Sequence, residues 1–177
     1  PAVQDRLRAL GLADPTHYFN SGVLLMDLDA LRERSSTSAL LALVREQADR
    51  LLWVDQDALN LVHASEWAEL APRWNVQNSF WAWPAWAAAT FGQGELAAAR
   101  SDPAVLHFEG PSLAKPWHYL CRHPQTAAYR RAAGRTPWGW PTPVDRTWAT
   151  RLIKSLPSSW QTPAYLRLLR ARQRVRG

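Results

Sequence analysis

The stretch from Val105 to Tyr119 contains residue types that suit the binding of a diphosphate. A short apolar run ends near His107, and a glycine and proline turn beginning at Gly110 precedes Lys115. Imidazole is a common metal ligand, glycine lets the backbone approach a ligand closely, and an ammonium group pairs with phosphate oxygens. A lone histidine at a strand end is more often a surface or internally bonded residue than a ligand, so residue type alone leaves both interpretations open.

Two segments nearer the N-terminus place further polar residues beside apolar runs. Residues 18–28 read YFNSGVLLMDL, with Asn20 and Gly22 at the start of the run, and residues 55–60 read DQDALN. The acidic residues of the second segment suit the first turn of a helix. On spacing alone, Asp55 needs only to be a helix cap.

Taken in this order with the segment around His107, the FNSG and DQD motifs resemble glycosyltransferase family 8, which includes glycogenin and the bacterial lipopolysaccharide galactosyl- and glucosyltransferases. The resemblance covers roughly residues 18–119. It implies an α/β fold, namely the C-terminal portion of a GT-A type nucleotide-diphospho-sugar transferase in which helices flank a mixed sheet. In the family, a nucleotide-binding half with a metal-binding Asp-x-Asp precedes these motifs. The chain reaches Tyr18 without that half, so it looks like the C-terminal part of a longer protein, and its activity as given is an open question.

The resemblance implies a metal-dependent, retaining hexosyltransferase. It would move a hexose from a UDP-sugar to a saccharide or lipid-linked saccharide acceptor, in the synthesis of lipopolysaccharide or another cell-surface glycan. The implied cofactor is Mn²⁺ or Mg²⁺, with the remaining metal ligands in the N-terminal half. The implied site residues are Asp55 and Gln56 for catalysis; Asn20, Gly22, Gly110 and Lys115 for the donor sugar and nucleotide; and His107 for the metal.

Two points about this implied site stay open on sequence. Either Asp55 or Gln56 acts as a nucleophile, or both only stabilise an oxocarbenium-like transition state. The family usually has two residues between the glycine and the lysine of the third motif, whereas this chain has four between Gly110 and Lys115.

The net charge of +6 is unevenly distributed along the chain. Residues 1–121 carry nine Lys or Arg and fourteen Asp or Glu, whereas residues 122–177 carry twelve and one. We therefore predict a GT-A portion over 1–121 and a basic, Trp-containing helical tail over 122–177. Arg and Trp on an amphipathic helix favour an anionic membrane surface, although such a charge run is often only a solvated face.

Composition bears on disulfide bonding, membrane insertion and nucleic-acid binding. The single cysteine, Cys121, excludes an intramolecular disulfide, fits a reducing compartment and is expected to be a buried small residue rather than a nucleophile. No apolar run reaches the ~18 residues of a spanning helix. We expect a cytoplasmic protein, peripheral on the inner face of the plasma membrane if the tail binds lipid. No recognised nucleic-acid motif accompanies the basic residues, so no nucleic-acid partner is expected.

Apolar periodicity predicts the elements that would position these residues. Asp29 is interpreted as a helix N-cap, not as half of a metal-binding Asp-x-Asp with Asp27, since capping is the commoner use of such a residue. The strand over 18–28 is expected to be buried on both faces. The predicted elements are helices over 3–11, 38–52, 94–100, 144–156 and 163–175, and strands over 18–28, 66–71 and 104–108.

The run FWAWPAW at residues 80–86 is unusually aromatic. Tryptophan rings bury large apolar areas, which favours core or lid packing, but the CH faces of a sugar also stack on such rings. The second interpretation predicts an alternative function: a non-catalytic carbohydrate- or partner-binding module that uses this Trp-rich face.

Overall fold

The computed structural model describes residues 2–64, 66–140 and 142–176. The chain divides into two compact units, residues 1–75 and residues 76–177. Helices dominate both units, and the second contains a small parallel sheet, so the α/β class is confirmed. No helix among the described residues is both long and apolar enough to cross a membrane.

The first unit is helical. Leu7, Leu10, Leu12, Leu51 and Ala58 form its buried core. Helix α4 presents Ala58 to this core, while its first turn carries Asp55 and Asp57 at the end where the helix dipole favours acidic groups. The helices are α1 Ala2–Ala9, α2 Leu28–Glu33, α3 Ser36–Gln47 and α4 Val54–Val62, with 3-10 turns at Ala48–Arg50 and Pro72–Asn75.

The second unit is built around two short parallel strands. Val76 of β1 pairs with Leu106 of β2, and Gln77 pairs with His107. Phe80 and Leu96 pack in the core beside these strands. The elements are β1 Val76–Gln77, α5 Ser79–Ala82, α6 Pro84–Phe91, α7 Gln93–Ser101, β2 Leu106–His107, a 3-10 turn Ser112–Ala114, α8 Thr126–Ala133, α9 Trp148–Lys154 and α10 Ser158–Arg176.

All five predicted helices are observed, with changed ends. The helices predicted over 3–11, 38–52 and 94–100 correspond to α1, to α3 with its 3-10 extension, and to α7. Those over 144–156 and 163–175 correspond to α9 and α10. The strand predicted over 104–108 is observed in shortened form as β2, which ends at His107. Pairing within the described residues is parallel, so the mixed sheet is not found there, and the boundary at residue 121 stays a prediction.

The strand predicted over 18–28 is wrong. The backbone groups at its start bond to side chains instead of a neighbouring strand, because Asn60 accepts from Phe19 N at 2.8 Å and donates to Phe19 O at 2.8 Å. Further along, Leu25 is 85% exposed, so burial on both faces is also wrong. Asp27, not Asp29, is the N-cap of α2, since its carboxylate accepts from the backbone N–H groups of Asp29 and Ala30.

Two smaller expectations also need correction. Residues 66–71 form no strand, and Trp67 instead packs its ring against His17 and Phe19, with centroids 4.2 and 5.2 Å apart. Cys121 is only half-buried, and its sulfur accepts from the backbone N–H of His123 at 3.5 Å.

Candidate functional site

The first turn of α4 presents three consecutive polar side chains in different directions, because successive residues rotate by about 100° around a helix. Asp55 is exposed, Gln56 is half-buried, and Asp57 is fully buried. The two exposed or half-buried residues are the ones that a substrate can reach. The buried one anchors the turn.

Asp57 is a buried carboxylate of the first unit that accepts hydrogen bonds from several donors. Its oxygens accept from Arg6 Nη1 and Nη2 at 2.9 and 3.0 Å, from the Tyr18 hydroxyl at 2.7 Å, and from the backbone N–H groups of Leu52 and Trp53 at 2.8 and 3.1 Å. Burial opposes ionisation of Asp57, but the bonds from Arg6, Tyr18 and the backbone outweigh it and lower its pKa. Asp57 is therefore ionised and joins α1, the segment at Tyr18 and α4.

Gln56 is bonded at both ends of its carboxamide. Its Oε1 accepts from Asn20 Nδ2 at 2.9 Å and from Ser21 N at 3.1 Å, and its Nε2 donates to the Tyr18 hydroxyl at 3.1 Å. Asn20 Oδ1 in turn accepts from Gly22 N at 3.0 Å and from Asn75 Nδ2 at 2.9 Å. The structure thus brings together Asn20, Gly22 and Gln56, three of the residues that the family resemblance implies.

Asp55 joins the same cluster through Ser21. The Ser21 hydroxyl donates to Asp55 Oδ2 at 2.8 Å. A carboxylate has about four acceptor positions, so this bond leaves Asp55 able to accept from hydroxyl groups of a ligand. An exposed carboxylate beside two carboxamides is an arrangement suited to the many hydroxyls of a sugar.

His107, Gly110 and Lys115 lie together in the second unit. His107 is half-buried at the end of β2, and burial lowers its pKa, opposed by Glu109 and aided by Lys115. A neutral imidazole at pH 7 is the form that binds metals. Gly110 has φ of +87°, and a 3-10 turn at Ser112–Ala114 takes up the residues that separate it from Lys115, which explains the longer spacing.

Lys115 lies over its own loop. Its Nζ donates to the carbonyl oxygen of Phe108 and lies 5.8 Å from the centroid of the Trp117 ring. The loop is also tied to α5, since Asn78 donates to the backbone oxygen of Glu109 and Ser79 N donates to Glu109 Oε1 at 3.1 Å. An ammonium group has three donors, so this arrangement leaves Lys115 able to bind an anion.

A metal site is not complete within the described residues, where no three His, Cys, Asp or Glu side chains are grouped to hold an ion. His107 supplies one candidate ligand. Convergence of the two sets of residues, Asn20 to Gln56 in the first unit and His107 to Lys115 in the second, on a single cleft stays a prediction.

The Trp-rich run divides into packed and exposed rings. Trp81 is half-buried and contacts His123, with ring centroids 4.6 Å apart. Trp83 and Trp86 are 66% and 53% exposed. The packing interpretation therefore fits Trp81, and the ligand-stacking interpretation remains open for the two exposed rings.

Sequence reasoning missed the residues that hold Gln56. Asp57 is the third residue of the DQD motif and Tyr18 is the first residue of YFNSG, but the motifs do not predict the hydrogen bond between them. Ser21 and Asn75 lie in segments that resemble the family, but the resemblance does not predict their hydrogen bonds. Their roles depend on contacts between residues 34 to 55 positions apart, which spacing along the chain does not encode.

Comparison with known proteins finds a matching family and a relative. Residues 3–121 match the model of the glycosyl transferase family 8. The chain is 32% identical over 136 residues to the general stress protein A of Bacillus subtilis (strain 168), an alignment that covers 76% of this chain and 47% of that protein. The chain thus spans about half the length of this curated relative. No solved structure matches the chain.

Proposed function

Because this chain belongs to glycosyl transferase family 8, we propose that the protein carrying it transfers a hexose from a UDP-sugar to a saccharide or lipid-linked saccharide acceptor, with retention at the anomeric carbon. The acceptor belongs to lipopolysaccharide or another cell-surface glycan. The observation that carries the proposal is the bonded cluster of Asn20, Gln56 and Asp55. Because the chain spans only part of its relative, the proposal concerns the whole protein.

The donor sugar is bound by side chains of the first unit. Asp55 accepts hydrogen bonds from sugar hydroxyls, and Asn20 donates through its carboxamide. Gln56 faces the anomeric carbon. Its Oε1 already accepts two hydrogen bonds and is a poor nucleophile, so the role proposed for Gln56 is an electrostatic contact to the anomeric carbon rather than a bond to it.

The diphosphate is bound by residues of the second unit. Negative charge develops on the departing phosphate as the glycosidic bond breaks, and preorganised donors stabilise that charge. Lys115 supplies an ammonium group, and Gly110 brings its backbone close to the phosphate oxygens. Family 8 enzymes are commonly dependent on a divalent metal, and His107 is the candidate ligand for Mn²⁺ or Mg²⁺ here.

The test is hydrolysis and transfer by the full protein over a panel of UDP-sugars with Mn²⁺. Wild type is compared with Gln56→Ala and His107→Ala, and Gln93→Ala, an exposed glutamine of α7, is the matched control. We expect both site variants to lose at least about 100-fold in kcat/KM and the control to match wild type. Equal turnover of wild type and both site variants contradicts the proposal. Proton NMR of the product's anomeric signal tests retention.

The second candidate is the non-catalytic carbohydrate-binding module. The exposed rings of Trp83 and Trp86 favour it, because exposed aromatic rings suit stacking on sugar CH faces. This candidate expects wild type to lack UDP-sugar turnover and to bind an oligosaccharide with an affinity that falls about tenfold in Trp86→Ala. Transfer activity together with unchanged binding in Trp86→Ala contradicts it.

Membrane association is proposed for the basic tail, at the inner face of the plasma membrane. Trp148 and Leu152 lie four residues apart on α9 and are 77% and 62% exposed, with Arg151 and Lys154 close by. Basic residues beside exposed aromatic and apolar groups suit an anionic bilayer. Sedimentation with phosphatidylserine vesicles, lost in Trp148→Ala and at high salt, is the expected result. Equal sedimentation with phosphatidylcholine vesicles contradicts it.

A further inference from the structure

We propose that Tyr18 is a positioning residue that sets the orientation of the Gln56 carboxamide, with buried Asp57 as its fixed acceptor. This inference rests on the proposed function. It concerns the orientation of the Gln56 side chain rather than a contact with the donor, and four features of the structure support it.

The first feature is the fixed direction of the bond between Tyr18 and Asp57. The Tyr18 hydroxyl lies 2.7 Å from Asp57 Oδ1. An ionised carboxylate only accepts, so the single proton of the hydroxyl points at Asp57. Burial, followed by the bond to Asp57, raises the pKa of Tyr18 to about 12, so that proton stays in place at physiological pH.

The second feature is that the Tyr18 hydroxyl acts toward Gln56 only as an acceptor. A phenol that already donates its proton to one partner can only accept a hydrogen bond from a second partner. That neighbour is Gln56, whose side-chain nitrogen lies 3.1 Å away. Only the NH₂ end of Gln56 can therefore face Tyr18.

The third feature lies at the opposite end of the carboxamide. Ser21 contributes a backbone N–H, which only donates, at 3.1 Å from Gln56. The oxygen end of Gln56 must therefore face Ser21. Both ends of the side chain impose the same orientation, and neither depends on a hydroxyl that is free to rotate.

The fourth feature extends the chain of bonds to Asn20. Gly22 N, another donor, lies 3.0 Å from Asn20 Oδ1, which leaves Asn20 Nδ2 to donate to Gln56. The amide orientations of Asn20 and Gln56 are thus set jointly, from a buried carboxylate at one end and backbone N–H groups at the other. Replacing Tyr18 by phenylalanine removes one bond of Gln56 and keeps the aromatic packing.

The experiment compares wild type, Tyr18→Phe and the matched control Tyr119→Phe in the full protein. Tyr119 contacts Lys154, with Nζ 4.2 Å from the ring centroid, and phenylalanine keeps that ring. We expect Tyr18→Phe to lower kcat about 5- to 30-fold with donor KM changed less than about twofold, since the lost orientation matters most in the transition state. Tyr119→Phe is expected to match wild type.

A second readout does not depend on turnover. The side-chain amide signals of Gln56 in ¹⁵N-labelled protein, assigned by their loss in Gln56→Glu, should move toward values of a free glutamine in Tyr18→Phe and stay in place in Tyr119→Phe. Unmoved signals, or an unchanged kcat in a folded Tyr18→Phe protein, overturn the positioning role. If wild type lacks turnover but the signals move, the proposed function fails while the orienting contact stands.

Discussion

Replacing Asp57 by asparagine tests the contact that anchors the candidate site. The carboxylate is fully buried and accepts from Arg6, Tyr18 and two backbone N–H groups, so it holds α1, the start of the FNSG segment and α4 together. Asparagine has nearly the same shape. The substitution therefore changes charge and hydrogen bonding with little change in packing.

The expected loss of unfolding free energy follows from the two possible orientations of the asparagine side-chain amide. In one orientation its NH₂ group faces Arg6 Nη1 and the backbone N–H groups of Leu52 and Trp53; in the other it faces Tyr18 and Arg6 Nη2. At least two donors lose their acceptor either way. Removing one member of a buried ion pair costs about 3–5 kcal/mol. Because the Arg6 side chain is 24% exposed and water partly compensates it, we expect about 3 kcal/mol of lost unfolding free energy.

The assay is urea denaturation of the full chain, with hydrogen exchange of residues 51–62 to assign the loss to the first unit. The control is Asp29→Asn, which breaks the exposed pair between Arg32 and Asp29 and should leave stability close to wild type. Adding Arg6→Met to Asp57→Asn should recover part of the loss, since it removes the unpaired charge. A loss below about 1 kcal/mol, or equal effects of both asparagine variants, refutes the anchoring role.

Three further predictions concern pH and backbone conformation. The pKa of Tyr18 is raised to about 12 in the folded protein, so the unfolded chain loses this proton first and stability should fall above about pH 10; melting temperatures from pH 9 to 11.5 should fall less steeply in Tyr18→Phe than in wild type. Burial lowers the pKa of His123, and it lowers the pKa of His118 although Asp145 opposes the shift. The unfolded chain therefore binds more protons than the folded protein below about pH 6.5, and stability measured by calorimetry should fall from pH 7 to pH 5. A stability that does not change over this range would contradict the prediction. Gly110→Ala should lower the free energy of unfolding, measured in urea, by about 1 kcal/mol, because φ of +87° disfavours any residue with a side chain. Steric clash does not contribute, since a Cβ at this position would lie 4.0 Å from its nearest neighbours. An unchanged free energy of unfolding would contradict this prediction.

Local patterns in the sequence predicted the parts of the fold that depend on near neighbours. Helix α7 follows from its own alanine-rich periodicity, and β2 lies within the short apolar run around Leu106. The acidic first turn of α4 is likewise visible in the sequence. In each case the forces that decide the structure act within a few residues.

The segment after Tyr18 shows where such patterns fail. An apolar run bounded by Asn, Ser and Gly is typical of a buried strand, but Asn60 bonds both backbone groups of Phe19 from 41 residues away. Side chains that replace a neighbouring strand leave no periodic signal. The same holds for Asp57, whose partner Arg6 lies 51 positions earlier.

The candidate site was predicted from motif resemblance and not from physical pattern. Asn20, Gly22, Asp55 and Gln56 were singled out and do lie together. Ser21 joins Asp55 to this cluster, and its role required the three-dimensional contact to be seen. Residue types indicate which chemistry the site can perform, and long-range hydrogen bonds determine how its side chains are positioned.

The most direct test of the account is a structure of the full protein with a non-hydrolysable UDP-hexose analogue and Mn²⁺. The account predicts hexose hydroxyls bonded to Asp55 and Asn20, the anomeric carbon facing Gln56, and the diphosphate beside His107 and Lys115. A hexose stacked on Trp83 or Trp86, with Gln56 away from the sugar, would contradict it.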